Sequence, residues 1–304
     1  MELIPDQELN TGKDGELLDA EFLRKLERLS LVARRLFPGR LKGERRSTKH
    51  GSSVEFADYR NYSVGDDFRR VDWNVYARLE KLFLKLFMEE EDLHVYILID
   101  ASKSMGFGSP EKLLYAKRVA AALSYIALCN LDRVGLAVLN GSNASILSPK
   151  RGRQSAFGVF DYLDSVQASG ETQLSASIRD FSLRVSQPGL VIFISDLFDE
   201  DYQKGLNSLL SRKFEVSILH LLDQEEVSPS IVGDLLLIDS ETGKKSEITV
   251  TQTLLRKYQE RLSSFCGGIE NYCLRYGCSY IRITNQSPFE DLVLSYLRQR
   301  GMLK

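Results

Sequence analysis

The chain has 304 residues, which is enough to bury the core of one large domain or of a main domain with a smaller companion. With 43% hydrophobic and 27% charged residues it has the composition of an ordinary globular protein, and its formal net charge of -2 disfavours a general attraction to nucleic acid or anionic membranes. The richest apolar run, Val119 to Cys129, is too short to cross a bilayer, and the polar start of the chain does not resemble a secretory signal, so we expect a cytoplasmic protein without a membrane span.

Residues 1–92 are predicted to form an N-terminal accessory segment. A helix should begin at Asp19 and end at Phe37-Pro38-Gly39, because apolar residues recur on one of its faces: Phe22, Leu26, Leu29, Ala33 and Leu36. Residues 40–92 are rich in charge and show little periodicity, except for an extended element over 82–87. The Arg and Asp residues between 60 and 78, around the only Trp, favour an ion-pair network, with a partner-docking face as the alternative.

Residues 93–304 show the alternation of apolar strands and amphipathic helices that is typical of an α/β domain with a mostly parallel central sheet flanked by helices. Strands are predicted over residues 94–100, 133–140, 144–147, 190–194, 215–222, 235–238 and 280–283. Helices are predicted over residues 110–130, 154–166, 174–185, 201–213, 251–276 and 288–300. The strand over 235–238 is expected to belong to the main sheet.

The first strand of this domain ends on Asp100, and Ser102 and Ser104 follow at alternate positions. One carboxylate and two hydroxyls beyond the carboxyl end of a strand form the all-oxygen ligand set that hard divalent cations such as Mg2+ prefer. Ligands of open α/β sheets bind at this edge. A helix-capping loop is the alternative interpretation, because Ser and Asp often accept hydrogen bonds from free amides there.

Two further loops are predicted to bring oxygen ligands to the same edge. The strand over 190–194 leads to Asp196, and parallel strands place their carboxyl ends together. Gly170 allows a tight turn before Thr172, whose hydroxyl lies near the first turn of a helix. Because two carboxylates held close together repel unless a cation neutralises them, the five side chains predict a divalent metal site. The alternatives are a plain helix cap for Thr172 and a pairing of Asp196 with a nearby Lys or Arg.

The Asp-x-Ser-x-Ser spacing, the glycine-flanked Thr and the strand-terminal Asp, in this order, resemble the metal-ion-dependent adhesion site of von Willebrand factor type A domains. The resemblance implies a doubly wound, Rossmann-like sheet and a bound Mg2+, or another divalent cation such as Mn2+ or Ca2+. It also implies the ligand set Asp100, Ser102, Ser104, Thr172 and Asp196, in which the acids act directly or through water and a partner's carboxylate fills the remaining position. One departure is that Leu197 follows Asp196, where adhesion domains often have Gly.

The segment before the sheet is similar to the bacterial domain-of-unknown-function family numbered fifty-eight, which carries such a domain. The similarity lies in Glu55-Phe56, Arg60-Asn61-Tyr62, Gly65-Asp66-Asp67, Arg69-Arg70, Asp72-Trp73-Asn74, Ala77-Arg78 and Lys85. It extends from residue 40 to the carboxyl terminus. Because this family is often found beside MoxR-type AAA+ ATPases, the resemblance implies such an ATPase, or its client, as the partner that supplies an acidic residue.

These features together predict a non-enzymatic, metal-dependent protein-protein interaction module in complex assembly or a chaperone-like activity. A metal-dependent phosphatase or hydrolase that uses Asp100 as its nucleophile is the alternative, although Ser102 stands where haloacid-dehalogenase-type phosphatases place an acid/base Asp. A nucleic-acid binder that uses the basic residues between 24 and 49 is a third and weaker hypothesis, and we expect no nucleic-acid partner.

Overall fold

The fold is taken from a computed structural model that describes residues 17–31, 54–64, 66–89, 93–170, 173–230, 233–238, 244–299 and 301–303. Contacts divide the chain into two compact units, residues 1–33 together with 94–304, and residues 34–93. In the described ranges no helix is both long and apolar enough to span a membrane.

The strands of the described residues, in chain order, are β1 (Val54–Asn61), β2 (Phe83–Glu89), β3 (His94–Asp100), β4 (Arg133–Asn140), β5 (Asn143–Arg151), β6 (Leu190–Ser195), β7 (Glu215–Leu222), β8 (Gly233–Ile238), β9 (Lys245–Val250) and β10 (Ser279–Thr284). The helices are α1 (Ala20–Leu26), α2 (Trp73–Leu79), α3 (Lys112–Cys129), α4 (Ala156–Asp164), α5 (Leu174–Arg184), α6 (Tyr202–Ser211), α7 (Gln224–Val227) and α8 (Gln252–Tyr276). A last helix runs as α9 (Phe289–Asp291), a π-helical turn (Leu292–Tyr296) and α10 (Leu297–Gln299).

The main sheet of the larger unit has six strands in the order β10-β7-β6-β3-β4-β5. All neighbours pair in parallel except β4 and β5, which form an antiparallel hairpin around Gly141. The first strand of this sheet, β3, therefore lies in its middle. The later strands are added outward on both sides of β3, which is the doubly wound arrangement. The predicted fold class, a mostly parallel α/β sheet flanked by helices, is confirmed.

The central strands are buried on both faces, because helices cover each side of the sheet. In β3, Tyr96 and Leu98 point into a core that also holds Ile178 of α5 and Leu206 of α6. The alternate residues of β3, such as Ile97, are equally buried, and α3 packs on β3, β4 and β7. Burial on two faces explains why these strands read as continuous apolar runs rather than as alternating ones.

The amino-terminal helix is shorter than predicted and lies in the larger unit. It begins after Asp19, whose carboxylate accepts a hydrogen bond from the Phe22 amide, and it ends at Leu26 rather than at residue 37. The Phe22 ring packs 5.2 Å from the ring of Phe289, and the Tyr125 hydroxyl donates to Glu27. These contacts tie α1 to α3 and α9, whereas the sequence groups this helix with the accessory segment. The predicted stop at 37–39 lies outside the described residues.

One predicted strand does not belong to the main sheet. The segment predicted over 235–238 forms β8, which pairs with β9 in a separate two-stranded antiparallel sheet. Because Leu236 is about half exposed, this hairpin does not have the two buried faces of a central strand. The sixth position of the main sheet is taken instead by β10, for which the sequence signal is weaker.

The smaller unit contains the antiparallel hairpin of β1 and β2 and the helix α2. The prediction of an extended element over 82–87 corresponds to β2, while β1 and α2 were not predicted. Asp72 caps α2 by accepting hydrogen bonds from the amides of Asn74 and Val75, and Arg60 pairs with Asp66 at 2.9 Å. Two of the expected charged residues thus form an ion pair, and Trp73 is exposed.

Candidate functional site

Four of the five predicted site residues lie together at the carboxyl edge of the main sheet. Asp100 ends β3 and Asp196 follows β6, and these neighbouring strands run in parallel with Ile99 opposite Ile194. Ser102 and Ser104 lie in the short turn that follows β3. The fifth residue, Thr172, lies outside the described residues.

Asp100 is held by hydrogen bonds to both carboxylate oxygens. Its Oδ1 accepts from the Ser102 amide at 2.9 Å, and its Oδ2 accepts from the Ser195 hydroxyl at 2.7 Å. The carboxyl group is buried, and this burial together with the charge of Asp196 raises the pKa of Asp100 to about 6. The side chain is therefore ionised at neutral pH, at an energetic cost that a nearby cation would reduce.

The two serines and Asp196 form a continuous chain of oxygen atoms. The hydroxyl oxygens of Ser102 and Ser104 are 3.0 Å apart, and Ser104 donates to Asp196 Oδ2 at 2.8 Å. Adjacent ligands of an octahedral Mg2+, each about 2.1 Å from the metal, lie about 3.0 Å from one another. The spacing of these oxygens therefore fits the edges of such a coordination shell, if the hydroxyls turn their lone pairs to the metal.

A lysine that was not predicted to belong to the site reaches the same cluster. Lys112, the first residue of α3, is completely buried, and its Nζ contacts Asp196 Oδ2 at 2.8 Å and Glu226 Oε1 at 2.6 Å. Burial lowers the pKa of Lys112, but the charges of Asp196 and Glu226 outweigh this effect and raise it. Burial also raises the pKa of Glu226, against the effect of the ammonium. The two short contacts favour the charged lysine, so the cluster already contains one cation.

Leu197 stands where adhesion domains often have Gly, and the loop after Asp196 adopts a backbone conformation that favours glycine. Leu197 has a φ of 58°, in the left-handed region that glycine adopts freely and that costs another residue about 1 kcal/mol. Its amide donates to the Ser195 hydroxyl at 2.8 Å, and its side chain is buried in the core. Burial of the leucine side chain offsets the backbone cost, since a buried leucine contributes about 2 kcal/mol. The loop thus adopts with leucine a turn for which glycine is the usual residue.

His220 supports Asp196 from the next strand. Its Nε2 lies 2.9 Å from the backbone oxygen of Asp196, and its Nδ1 lies 2.8 Å from the Tyr280 hydroxyl. Burial lowers the pKa of His220 to about 4, so the ring is neutral at neutral pH. A neutral ring that donates to the Asp196 oxygen accepts from Tyr280, and this arrangement satisfies both nitrogens.

A second set of contacts fixes the loop that leads from Ser104 to α3. Gly108 has a φ of 102°, and a Cβ at this position would collide with the Asp223 carboxylate and the Asn285 amide. Asn285 donates to Asp223 Oδ2 and to the Pro110 carbonyl, each at 2.6 Å. Asp223 and Glu226 form a capping box around α7, which also directs Glu226 towards Lys112. The site is therefore built on buried hydrogen bonds rather than on mobile surface side chains.

The donor set fits a hard divalent cation. The described residues contain no group of three or more His, Cys, Asp or Glu side chains close enough to hold a metal ion. The cluster instead offers two carboxylates and two hydroxyls, whose oxygens can act as metal ligands. The ammonium of Lys112 lies beside them, so the cluster already accommodates one positive charge. Counted in their ordinary states, Asp100, Asp196, Glu226 and Lys112 carry a net charge of two negative units, which one divalent cation would balance.

Several supporting residues were missed, among them Ser195, Lys112, Glu226 and His220. Ser195 directly precedes Asp196 at the end of β6, so its place beside the predicted acid was available from the sequence. Lys112 lies in α3, 84 residues before Asp196 and 114 residues before Glu226, which lies in α7. No local spacing links positions so far apart, although the possible pairing of Asp196 with a Lys or Arg was among the alternatives.

Comparisons with known proteins give one family and several distant neighbours. A family model described as "Protein of unknown function DUF58" matches residues 58–264. The uncharacterized Mycobacterium tuberculosis protein Rv1480 is 26% identical over 246 residues, which cover 79% of this chain and 77% of that protein. Among solved structures, the conserved hypothetical protein BatB from Bacteroides thetaiotaomicron is 16% identical, with a TM-score of 0.43, and covers 69% of this chain and 98% of that one. The SpRpn10 VWA domain is 14% identical, with a TM-score of 0.39, and covers 67% and 94%.

Proposed function

The chain belongs to the family described as Protein of unknown function DUF58, and from this premise and the geometry of the oxygen cluster we propose that it is a non-enzymatic, divalent-metal-dependent protein-interaction module. It would work in the cytoplasm, with Mg2+ as the first candidate metal and Mn2+ or Ca2+ as alternatives. The observation that carries the proposal is the row of oxygens from Ser102 to Ser104 to Asp196, spaced at 3.0 and 2.8 Å beside the carboxylate of Asp100.

The chain's own residues would hold the metal and leave one side open. Ser104 is only partly buried, whereas Ser102, Asp100 and Asp196 are buried, so the cluster is accessible from the Ser104 side. A bound divalent cation would supply a positive centre that attracts a carboxylate. Phe107 and Phe198, which follow the two loops of the site, are 49% and 42% exposed and would provide apolar contacts for the residues around the partner's acid.

The partner that we propose is a MoxR-type AAA+ ATPase or a client of such an ATPase. It would present an acidic side chain to the open side of the cluster, in complex assembly or in a chaperone-like activity. This choice follows the family resemblance in the sequence, while the need for an acidic group follows from the charge of the proposed metal.

Metal binding is tested first with the purified full-length chain. Isothermal titration with Mg2+ and Mn2+ should detect one site, and Asp100→Asn should weaken binding by at least about tenfold because it removes a charge next to the metal. The control variant is Asp161→Asn, which removes an exposed carboxylate from α4 and should bind like the wild type. An unchanged affinity in Asp100→Asn, or no binding by the wild type, would refute the metal dependence.

Partner capture is tested next with a purified MoxR-type ATPase from the same host. We expect binding in Mg2+ that is lost in EDTA and in Asp100→Asn but kept in Asp161→Asn. Binding that ignores both the chelator and the variant would argue for a metal-independent surface.

The hydrolase alternative requires an acid/base group within reach of Asp100. Both oxygens of Asp100 already accept hydrogen bonds, and the nearby His220 is engaged by Asp196 and Tyr280. No observation in the described residues favours this function over the interaction module. Metal-dependent turnover of a generic phosphate ester that Asp100→Asn abolishes would reverse this preference.

A further inference from the structure

The buried ammonium of Lys112 is a group that the proposed function does not use. A fully buried lysine is rare unless it is paired, and this one contacts Asp196 at 2.8 Å and Glu226 at 2.6 Å. Its Nζ also lies 5.6 Å from the centre of the Phe198 ring. The lysine is thus surrounded by two carboxylates and an aromatic ring, all of which favour its positive charge.

The position of this charge matters because it shares an oxygen with the candidate metal ligands. Asp196 Oδ2 accepts hydrogen bonds from both Ser104 and Lys112, each at 2.8 Å. A carboxylate oxygen has two lone pairs, so these two donors use the bonding capacity of this atom. A cation bound at the serine hydroxyls would meet Oδ2 already occupied by a positive group of the protein.

Building on the proposed function, we propose that Lys112 sets the metal affinity of the oxygen cluster by acting as a fixed, competing cation. Its charge repels a divalent cation at the serine hydroxyls and lowers the attraction that Asp196 exerts on it. The same charge neutralises Asp196 when no metal is bound, so the cluster remains folded without one. Lys112 is therefore a positioning and affinity-determining residue, not a metal ligand.

Glu226 should have the opposite effect on the metal affinity. Its carboxylate, on α7, attracts the same ammonium that Asp196 contacts. A glutamine at this position can still accept the hydrogen bond from the Asp223 amide, so the capping box of α7 is retained. Loss of the negative charge leaves the full charge of Lys112 to act on Asp196. Neutralising Glu226 should thus weaken metal binding, whereas neutralising Lys112 should strengthen it.

The experiment is a calorimetric titration of the full-length chain with Mn2+, for the wild type and three variants. Lys112→Met should bind Mn2+ about tenfold more tightly than the wild type, and Glu226→Gln should bind it about threefold more weakly. Lys117→Met is the matched control, because Lys117 is in the same helix but its Nζ donates to the Asp164 carbonyl. This variant should not change the affinity.

The outcomes separate this inference from the proposed function. Equal affinities in the wild type and Lys112→Met, or a gain below about threefold, overturn the role of Lys112 and leave the metal site intact. If Lys112→Met binds Mn2+ and the wild type does not, the result supports the role of Lys112 and refutes metal dependence of the natural chain. No binding by either protein overturns both. If Lys112→Met does not fold, Glu226→Gln decides: weaker binding supports the inference and unchanged binding overturns it.

Discussion

The neutral state of His220 makes the stability of the fold depend on pH. The ring is buried in β7 against the Asp196 carbonyl, the Tyr280 hydroxyl and the Phe265 ring, with Arg282 and Lys112 as the nearby cations. Burial, to which these cations add, lowers the pKa of His220 from 6.5 to about 4. Because the unfolded chain takes up a proton below pH 6.5 and the folded chain does not, stability is lost as the pH falls through this range.

The magnitude follows from the two pKa values. Each pH unit between them is equivalent to about 1.4 kcal/mol, so the free energy of unfolding falls by about 2 kcal/mol at pH 5 and about 3 kcal/mol at pH 4 through His220 alone. The variant His220→Gln keeps a donor and an acceptor but cannot titrate. The carboxylates titrate in both proteins, so the difference between the two pH profiles isolates the histidine.

Urea denaturation at pH 7 and pH 5, followed by far-UV circular dichroism, measures this difference. Tryptophan fluorescence is less suitable, because the only tryptophan, Trp73, lies in the smaller unit. The wild type should lose about 2 kcal/mol more than His220→Gln between these pH values. Parallel profiles for the two proteins would refute the assignment of a buried neutral ring.

Further substitutions test the contacts around the site and in the sheet. Ser195→Ala should lower the free energy of unfolding, measured by urea denaturation, by about 2 kcal/mol because it removes a hydrogen bond to the buried Asp100 carboxylate. The control Ser182→Ala removes a hydrogen bond to a helix carbonyl and should cost less than about 1 kcal/mol. Equal losses in the two variants would contradict the role of Ser195. Gly189→Ala should destabilise the chain by about 2 kcal/mol or more, because its Cβ would collide with the His94 carbonyl. Gly158→Ala, with open space around the new methyl group in α4, should instead add about 0.5–1 kcal/mol, and a loss there would show that α4 is packed differently.

Much of the secondary structure was predictable because the buried strands carry strong local signals. The predicted bounds of β3, β4 and β7 agree with the structure, and α8 starts one residue later than predicted. The helix α2 was missed, although Asp72 before Trp73 is a capping signal that its seven residues follow. Such a short helix presents too few turns for apolar periodicity to indicate it.

The placement of β8 had to come from the tertiary structure. The sequence of β8 is a short apolar run, as is part of a central strand. Apolar content alone does not specify which strand pairs with which. Pairing depends on hydrogen bonds between segments distant in sequence. The structure pairs β8 with β9 and gives the edge of the main sheet to β10, so the apolar run alone led to the wrong sheet.

The candidate site also combines residues that the sequence predicts with residues that only the tertiary structure brings together. The sequence by itself determined the meeting of Asp100, Ser102, Ser104 and Asp196, because each follows directly from a strand end and parallel strands end at one edge. The tertiary structure alone decided that Lys112 and Glu226 join them, since α3 and α7 reach Asp196 only after the chain has folded back over the sheet. Local spacing indicated the candidate ligands, while the charged groups that contact them come from long-range packing.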